Sequence, residues 1–173
     1  VLDATETGRP VYQPMGFEDI YSLSRLRLTQ LQSNNLGDNE TADWTIQPIN
    51  EAHLDTLAVW DGDRFGAART VLLRALWTRS TPFARIAHRN DGSIAGYLLG
   101  RNGRNATHIG PIIATDDKVA IALVENALTL LDGPLIIDVA DDKQSLQDWL
   151  AEAGFKRERG FMRMALGRRQ PFD

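Results

Sequence analysis

The chain predicts a mixed α/β domain, and three features carry that prediction. Apolar residues recur at helical spacing from Asp117 to Leu131, placing Ala120, Leu123, Val124, Ala127, Leu128 and Leu131 on one face. The run that follows, Leu135 to Val139, is almost continuously apolar, as expected of a strand covered on both sides. Upstream, the alternating segments Phe83 to His88 and Ile94 to Leu99 flank Asn90-Asp91-Gly92, whose residues tolerate the positive φ of a hairpin turn. A hairpin followed by a crossover helix gives the order β α α β β β α β α β.

Taken in order, the elements are as follows. Residues 1–28 hold a short apolar run ending at Asp3, a helix-like stretch closed by Gly16-Phe17, and an alternating segment with Ile20, Tyr21 and Leu23. Thr29 to Asp43 is polar, rich in Asn and Asp, and without period, so it reads as a linker. Thr45 to Ile49 alternates as a strand, and Asn50 stands where a helix cap belongs, ahead of Leu54, Leu57, Ala58 and Trp60 on one face. Asp61-Gly62-Asp63 is expected to stop that helix. A second helix, from about Ala67 to Trp77, is expected to bury Val71, Leu72, Ala75 and Leu76. After the hairpin, Ala106 to Ala114 makes a strand in which Pro111 implies a bulge or an unpaired amide. Lys143 to Ala153 is a short helix stopped by Gly154, and Lys156 to Leu166 is the closing strand.

The signature of the first 28 residues thus returns at the end of the chain. Gly16-Phe17 and Gly154-Phe155 each close a helix-like stretch, each follow an apolar run ending in Asp (Asp3, Asp138), and each precede an alternating segment. They lie a whole domain apart, too far for a solenoid repeat. Residues 1–28 therefore read as the tail of a unit whose beginning is missing, 29–43 as linker, 44–167 as a second, whole unit and 168–173 as a tail.

Composition narrows the function only slightly. With 173 residues and 43% apolar content there is material for one sizeable core. A net charge of −4 gives no general attraction for phosphate polymers, and the one basic concentration, Arg157 to Arg169, is interrupted by Glu158 and apolar residues. It reads as a solvated strand face and tail, so no nucleic-acid partner is expected. No apolar run approaches the ~20 residues of a membrane span, and no membrane partner is expected. The absence of cysteine suits a reducing compartment, which points to the cytoplasm. No His-x-His or HExxH spacing occurs, and Asp61-Gly62-Asp63-Arg64 lacks the later acidic ligands of a calcium loop, so no metal site is expected.

The element order, with the Gly-Phe pair closing the last helix, resembles the GNAT acyltransferase superfamily. The stretch LDATETGRPVYQPMGF followed by EDIYSLSRL resembles the end of the first domain in tandem-GNAT proteins. The resemblance implies a GNAT-like fold over 44–167, a mixed central sheet with helices on both faces, preceded by a remnant of another GNAT domain. It also implies acetyl-CoA as co-substrate and a small-molecule or peptide amine as acceptor, attacked directly in a ternary complex. The partner would be the missing N-terminal GNAT domain or a second copy of the chain.

In such proteins the pantetheine lies between two splayed strands and the diphosphate rests on amides at the next helix N-terminus, where free N–H groups and the helix dipole hold an anion. The resemblance assigns these roles to Ile112, Ile113 and Ala114 and to Asp117, Lys118, Val119, Ala120 and Ala122. Aligning the family's phosphate loop on Ala122 puts Asp117 where Arg or Gln belongs and Ala120 where Gly belongs. Asp116 and Asp117 can equally cap the helix, since Asp is favourable there for the same reason a phosphate would be. Two catalytic candidates follow. His108, on the strand before the loop, could act as base; Tyr12, four residues before Gly16, matches the family's usual thiolate-protonating Tyr. The second unit has Leu150 at that position, which supports the alternative of a catalytically silent domain with a binding or assembly role.

Overall fold

The computed structural model describes residues 1–30 and 43–167; most of the expected linker and the expected tail lie outside the described residues. Gly16 ends the opening stretch as the sequence requires. Strand β1 (Leu2–Ala4) leads to helix α1 (Arg9–Tyr12) and a 3-10 turn (Gln13–Met15), whose cap Gly16 takes φ 87° and releases the chain into β2 (Phe17–Leu28). After β3 (Trp44–Pro48), Asn50 donates its amide to His53 Nδ1 at 3.1 Å, closing the 3-10 turn (Glu51–His53) that starts α2 (Leu54–Phe65). Then come α3 (Thr70–Ser80), β4 (Arg85–Arg89), β5 (Ile94–Asn102), β6 (Thr107–Ala114), α4 (Asp117–Leu128), β7 (Leu135–Ala140), α5 (Gln144–Glu152) and β8 (Lys156–Leu166).

The eight strands form one sheet in the order β1-β8-β2-β7-β6-β5-β4-β3. All neighbours are antiparallel except β6 and β7, the pair joined by the α4 crossover. Alternation along the strands divides the apolar residues between two layers. Leu98, Ile109, Leu135, Ile137 and Val139 pack with Leu123 and Val124 of α4 and Leu146 and Leu150 of α5. Tyr97, Leu99, Ile86 and Ile113 pack with Leu54 and Leu57 of α2 and Leu73 of α3. Helices therefore cover both faces, as expected. No helix among the described residues is long and apolar enough to cross a membrane.

Two helix expectations are corrected. Asp61-Gly62-Asp63 does not stop α2, which continues to Phe65 and ends at Gly66 with φ 75°. The reason is tertiary: Asp61 is wholly buried and accepts 2.7 Å bonds from Nε and NH2 of Arg69, together with the hydroxyl of Tyr97. The expected buried stripe of α3 is also displaced. Val71 and Leu72 are exposed, while Leu73 is buried and Leu76 and Trp77 lean on the same cluster. The helix begins three residues later than its periodicity suggested, because Arg69 is held by Asp61.

Segment 1–28 is woven into one end of the sheet, with β1 at the edge and β2 inside it. β2 lies between β7 and β8, pairing with β7 from Leu23↔Ala140 to Leu28↔Leu135 and with β8 along most of its length. β8 in turn lies between β1 and β2, with Leu2↔Met164 and Ala4↔Met162. Each Gly-Phe unit thus places its last strand into the gap between the two strands of the other. The exchange repeats in detail: Arg25 makes a two-pronged bond to Asp138, and Arg163, at the same distance after its own glycine, makes one to Asp3. The expected alternating segment of residues 18–26 is accordingly paired with β8 along its length and, from Leu23 on, with β7 as well.

Candidate active site

β6 and β7 are hydrogen-bonded only from Thr107↔Leu135 to Ile109↔Ile137, although β6 runs on to Ala114 and β7 to Ala140. Beyond that point they part. The cause lies in β6: Leu98↔Ile112 and Gly100↔Ile109 leave Gly110 and Pro111 together facing Leu99, a one-residue bulge. Gly110 has φ 136°, which favours glycine, and Pro111 offers no amide to a neighbouring strand. A bulge bends its strand, and here the strands part from an apex at Ile109 and Ile137, the last paired residues, leaving a cleft between their unpaired ends. Helix α4 begins at the mouth of that cleft.

The sequence-derived cofactor residues lie on β6 beyond Ile109 and in the first turns of α4. Ile113 is buried toward the α2–α3 layer and Ile112 leans on the α4–α5 layer, so the backbone of β6 lies between them. Val119, Ala120 and Ala122 are buried with their side chains in the core, leaving only main-chain groups of the helix start near the cleft. Lys118 is exposed and Asp117 half-buried. Asp116 is the N-cap, its Oδ1 accepting the Val119 amide at 3.0 Å while Oδ2 faces Thr115 Oγ1 at 3.0 Å and Arg89 NH2 at 3.5 Å. Partial burial pushes the Asp116 carboxyl upward. The Val119 amide, the Thr115 hydroxyl and Arg89 outweigh it and hold the group below its ordinary range. One of the donors expected to hold a diphosphate is therefore engaged by a carboxylate from the chain itself.

His108 stands at the apex. It is adjacent to Ile109, which faces the α4–α5 layer, so its ring is on the opposite face. Its Nε2 is 3.2 Å from Oδ2 of Asp138 on β7, and its Nδ1 is 3.4 Å from NH2 of Arg101 on β5. Asp138 also takes both prongs of Arg25 at 2.7 Å. Burial alone would raise the Asp138 carboxyl; hydrogen bonds from Arg25 and His108 overcome that and hold it well below the usual carboxylate range. Sequence reasoning singled out His108 and the capping role of Asp116 but missed Asp138 and Arg25 as the surroundings of His108.

Tyr12 and His108 are not brought together. Tyr12 ends α1 on the crossover from β1 to β2, its ring meeting Phe17 edge-on at 5.9 Å, whereas β6 is two strands beyond β2. Leu150 is fully buried in the α4–α5 layer. It faces the core, so a tyrosine at that position would bury its hydroxyl among apolar groups. Arg64, near the end of α2, stacks 3.6 Å over the Trp60 ring.

Comparison with known proteins agrees with this fold. The acetyltransferase (GNAT) domain family matches residues 57–173. An uncharacterised N-acetyltransferase of Bacillus subtilis, YitH, is 29% identical over 157 residues, covering 91% of this chain and 54% of the relative. Among solved structures, a candidate acetyltransferase of Pyrococcus horikoshii superposes with a TM-score of 0.68 at 22% identity, over 99% of this chain and 55% of the other. A GCN5-related N-acetyltransferase of Sphaerobacter thermophilus gives 0.61 at 12% identity, over 92% of this chain and 56% of the other. The two superpositions show the fold, and the chain spans about half the length of each of these relatives.

Proposed function

Since the chain belongs to the GNAT acetyltransferase family, we propose that it transfers the acetyl group of acetyl-CoA to a primary amine by direct attack, with the cleft between β6 and β7 seating the thioester. The observation that carries this reading is the parting of the two parallel strands beside the start of α4. Bound acetyl-CoA would supply an activated acyl carbon. The chain's own contributions are backbone and base. Main-chain groups of Ile112, Ile113 and Ala114 would orient the pantetheine arm, and the start of α4 would hold the diphosphate. His108, on the sheet face opposite α4 and α5, would take the proton that the amine loses as its nitrogen bonds to the acyl carbon and the carbon–sulfur bond breaks. Calorimetry with acetyl-CoA tests the reading: binding at micromolar to millimolar concentration supports it, and neither heat nor thermal shift at millimolar ligand rejects it.

A second reading is favoured by two observations, the Asp116 carboxylate on the Val119 amide and the burial of Leu150. Under it the domain is catalytically silent and serves binding or assembly. Asp116→Ala separates the two. Tighter acetyl-CoA binding by the variant supports a cradle that the carboxylate restrains, and no binding by either protein supports the silent reading. We further propose that residues 1–28 derive from a preceding GNAT unit, the exchanged strands and the half-length match being its support, and that the protein works in the cytoplasm.

A further inference from the structure

One row of side chains crosses five strands on the face opposite α4 and α5. Arg159 of β8 is opposite Arg25 of β2, Arg25 is opposite Asp138 of β7, Asp138 bonds His108 of β6, and His108 is opposite Arg101 of β5. The chemistry of the neighbours fixes the ring. A carboxylate can only accept, so Nε2 of His108 must carry the hydrogen it directs at Asp138; a guanidinium can only donate, so Nδ1 must present its lone pair to Arg101. Both contacts select the same neutral tautomer.

Asp138 cannot turn away from this arrangement. Its Oδ1 takes Arg25 Nε and its Oδ2 takes Arg25 NH2, a two-pronged geometry that sets the carboxylate plane. Arg25 is itself fixed, stacked 5.0 Å from the Phe161 ring, and both partners of the pair are less than a fifth exposed. Arg101, by contrast, is exposed and has no carboxylate partner among the described residues, so it can swing aside for an incoming amine.

We infer that Arg25 and Asp138 are positioning residues that hold His108 with Nδ1 free to accept the acceptor amine's proton, so that a residue of segment 1–28 completes the catalytic site. The inference rests on the role given to His108 above. In the transfer, the amine nitrogen bonds to the acyl carbon, the carbon–sulfur bond breaks with its electron pair leaving on sulfur, and the amine proton passes to Nδ1. The resulting imidazolium is stabilised by the Asp138 carboxylate, which takes no proton itself.

Nitrogen-15 NMR of the histidine rings in the whole chain tests this. There are three histidines, and His108→Gln assigns the signal. The expected spectrum shows His108 as the Nε2–H tautomer with an exchange-protected ring N–H, lost in Asp138→Ala, displaced in Arg25→Met and intermediate in Arg25→Lys. With a panel of amino acids, polyamines and amino sugars as acceptors, Arg25→Met should lower kcat about 100-fold with the acetyl-CoA KM unchanged, and Arg25→Lys should recover part of it. An Nδ1–H tautomer, or a ring signal indifferent to Arg25→Lys and to a folded Arg25→Met, overturns the inference. Failure of the wild type to bind acetyl-CoA would instead overturn the proposed function and leave the ring signal as it is.

Discussion

Removing residues 1–42 should abolish cooperative folding of the rest. β2 fills the gap between β7 and β8, and Leu23, Leu26 and Leu28 are no more than 6% exposed. Burying one leucine is worth roughly 1.5–3 kcal/mol, so these three account for roughly 5–9 kcal/mol before any strand pairing is counted. A domain of this size has a total stability of about 5–15 kcal/mol. The loss also unpairs two strand edges and strips Asp138 of its guanidinium, leaving a partly buried carboxylate with His108 alone. Circular dichroism and urea titration of the chain beginning at Asp43 should show no sigmoidal transition. Adding residues 1–30 as a separate peptide should restore one, because the missing strand can dock between two waiting edges. A truncated chain that unfolds cooperatively at the urea midpoint of the intact protein would refute the reasoning.

Three further perturbations probe other parts of the molecule. Asp61→Ala leaves Arg69 and the Tyr97 hydroxyl without their buried acceptor, which should cost about 3–5 kcal/mol and lower Tm by about 10 °C. The double change Asp61→Leu with Arg69→Met should cost clearly less than the two single changes added together, a result read from urea midpoints in a double-mutant cycle. Gly100→Ala should cost at least about 2 kcal/mol, since its Cβ would stand 2.6 Å from both the His108 carbonyl oxygen and the Phe83 ring; an unchanged urea midpoint would show that β5 can shift away. Finally, Asp138 is held below its ordinary value in the folded state, so its contribution is complete above about pH 4 and is lost as the pH falls below that. Between pH 7 and pH 3 the wild type should therefore lose more stability than Asp138→Asn, and parallel losses would contradict the sign.

What the sequence disclosed and what it concealed divide along the range of the interactions. The turn at Asn90-Asp91-Gly92, the bulge at Pro111, the stops at Gly16 and Gly154 and the amphipathic helix beginning at Asp117 are set by neighbours a few residues away, and each stands where periodicity or backbone preference put it. Asp61-Gly62-Asp63 misled because a local helix-breaking signal gave way to a buried ion pair with Arg69. Val71 and Leu72 misled because residues of one hydropathy fill both the buried and the exposed side of α3. At the candidate site, His108 was legible as a lone ionisable group on a strand. Its partners were not, since Asp138 looked like the end of an apolar run and Arg25 lies 113 residues before the Asp138 it binds. One signal was available: Arg25 and Arg163 each follow their glycine by the same interval, and each unit's apolar run ends in the aspartate that the other unit's arginine binds.

The interleaving of β2 and β8 also constrains how the molecule comes into being. During synthesis Leu23, Leu26 and Leu28 leave the ribosome well before Leu135 to Leu166, the stretch that will cover them. At roughly 5–20 residues per second, that interval is on the order of 5–30 s. Throughout it, a strand with two bare edges is open to partners other than its own. The final step of assembly must bring β2 together with β7 and β8, so folding cannot finish in the order in which these strands are made. Chaperone dependence and slow refolding are therefore expected of this architecture.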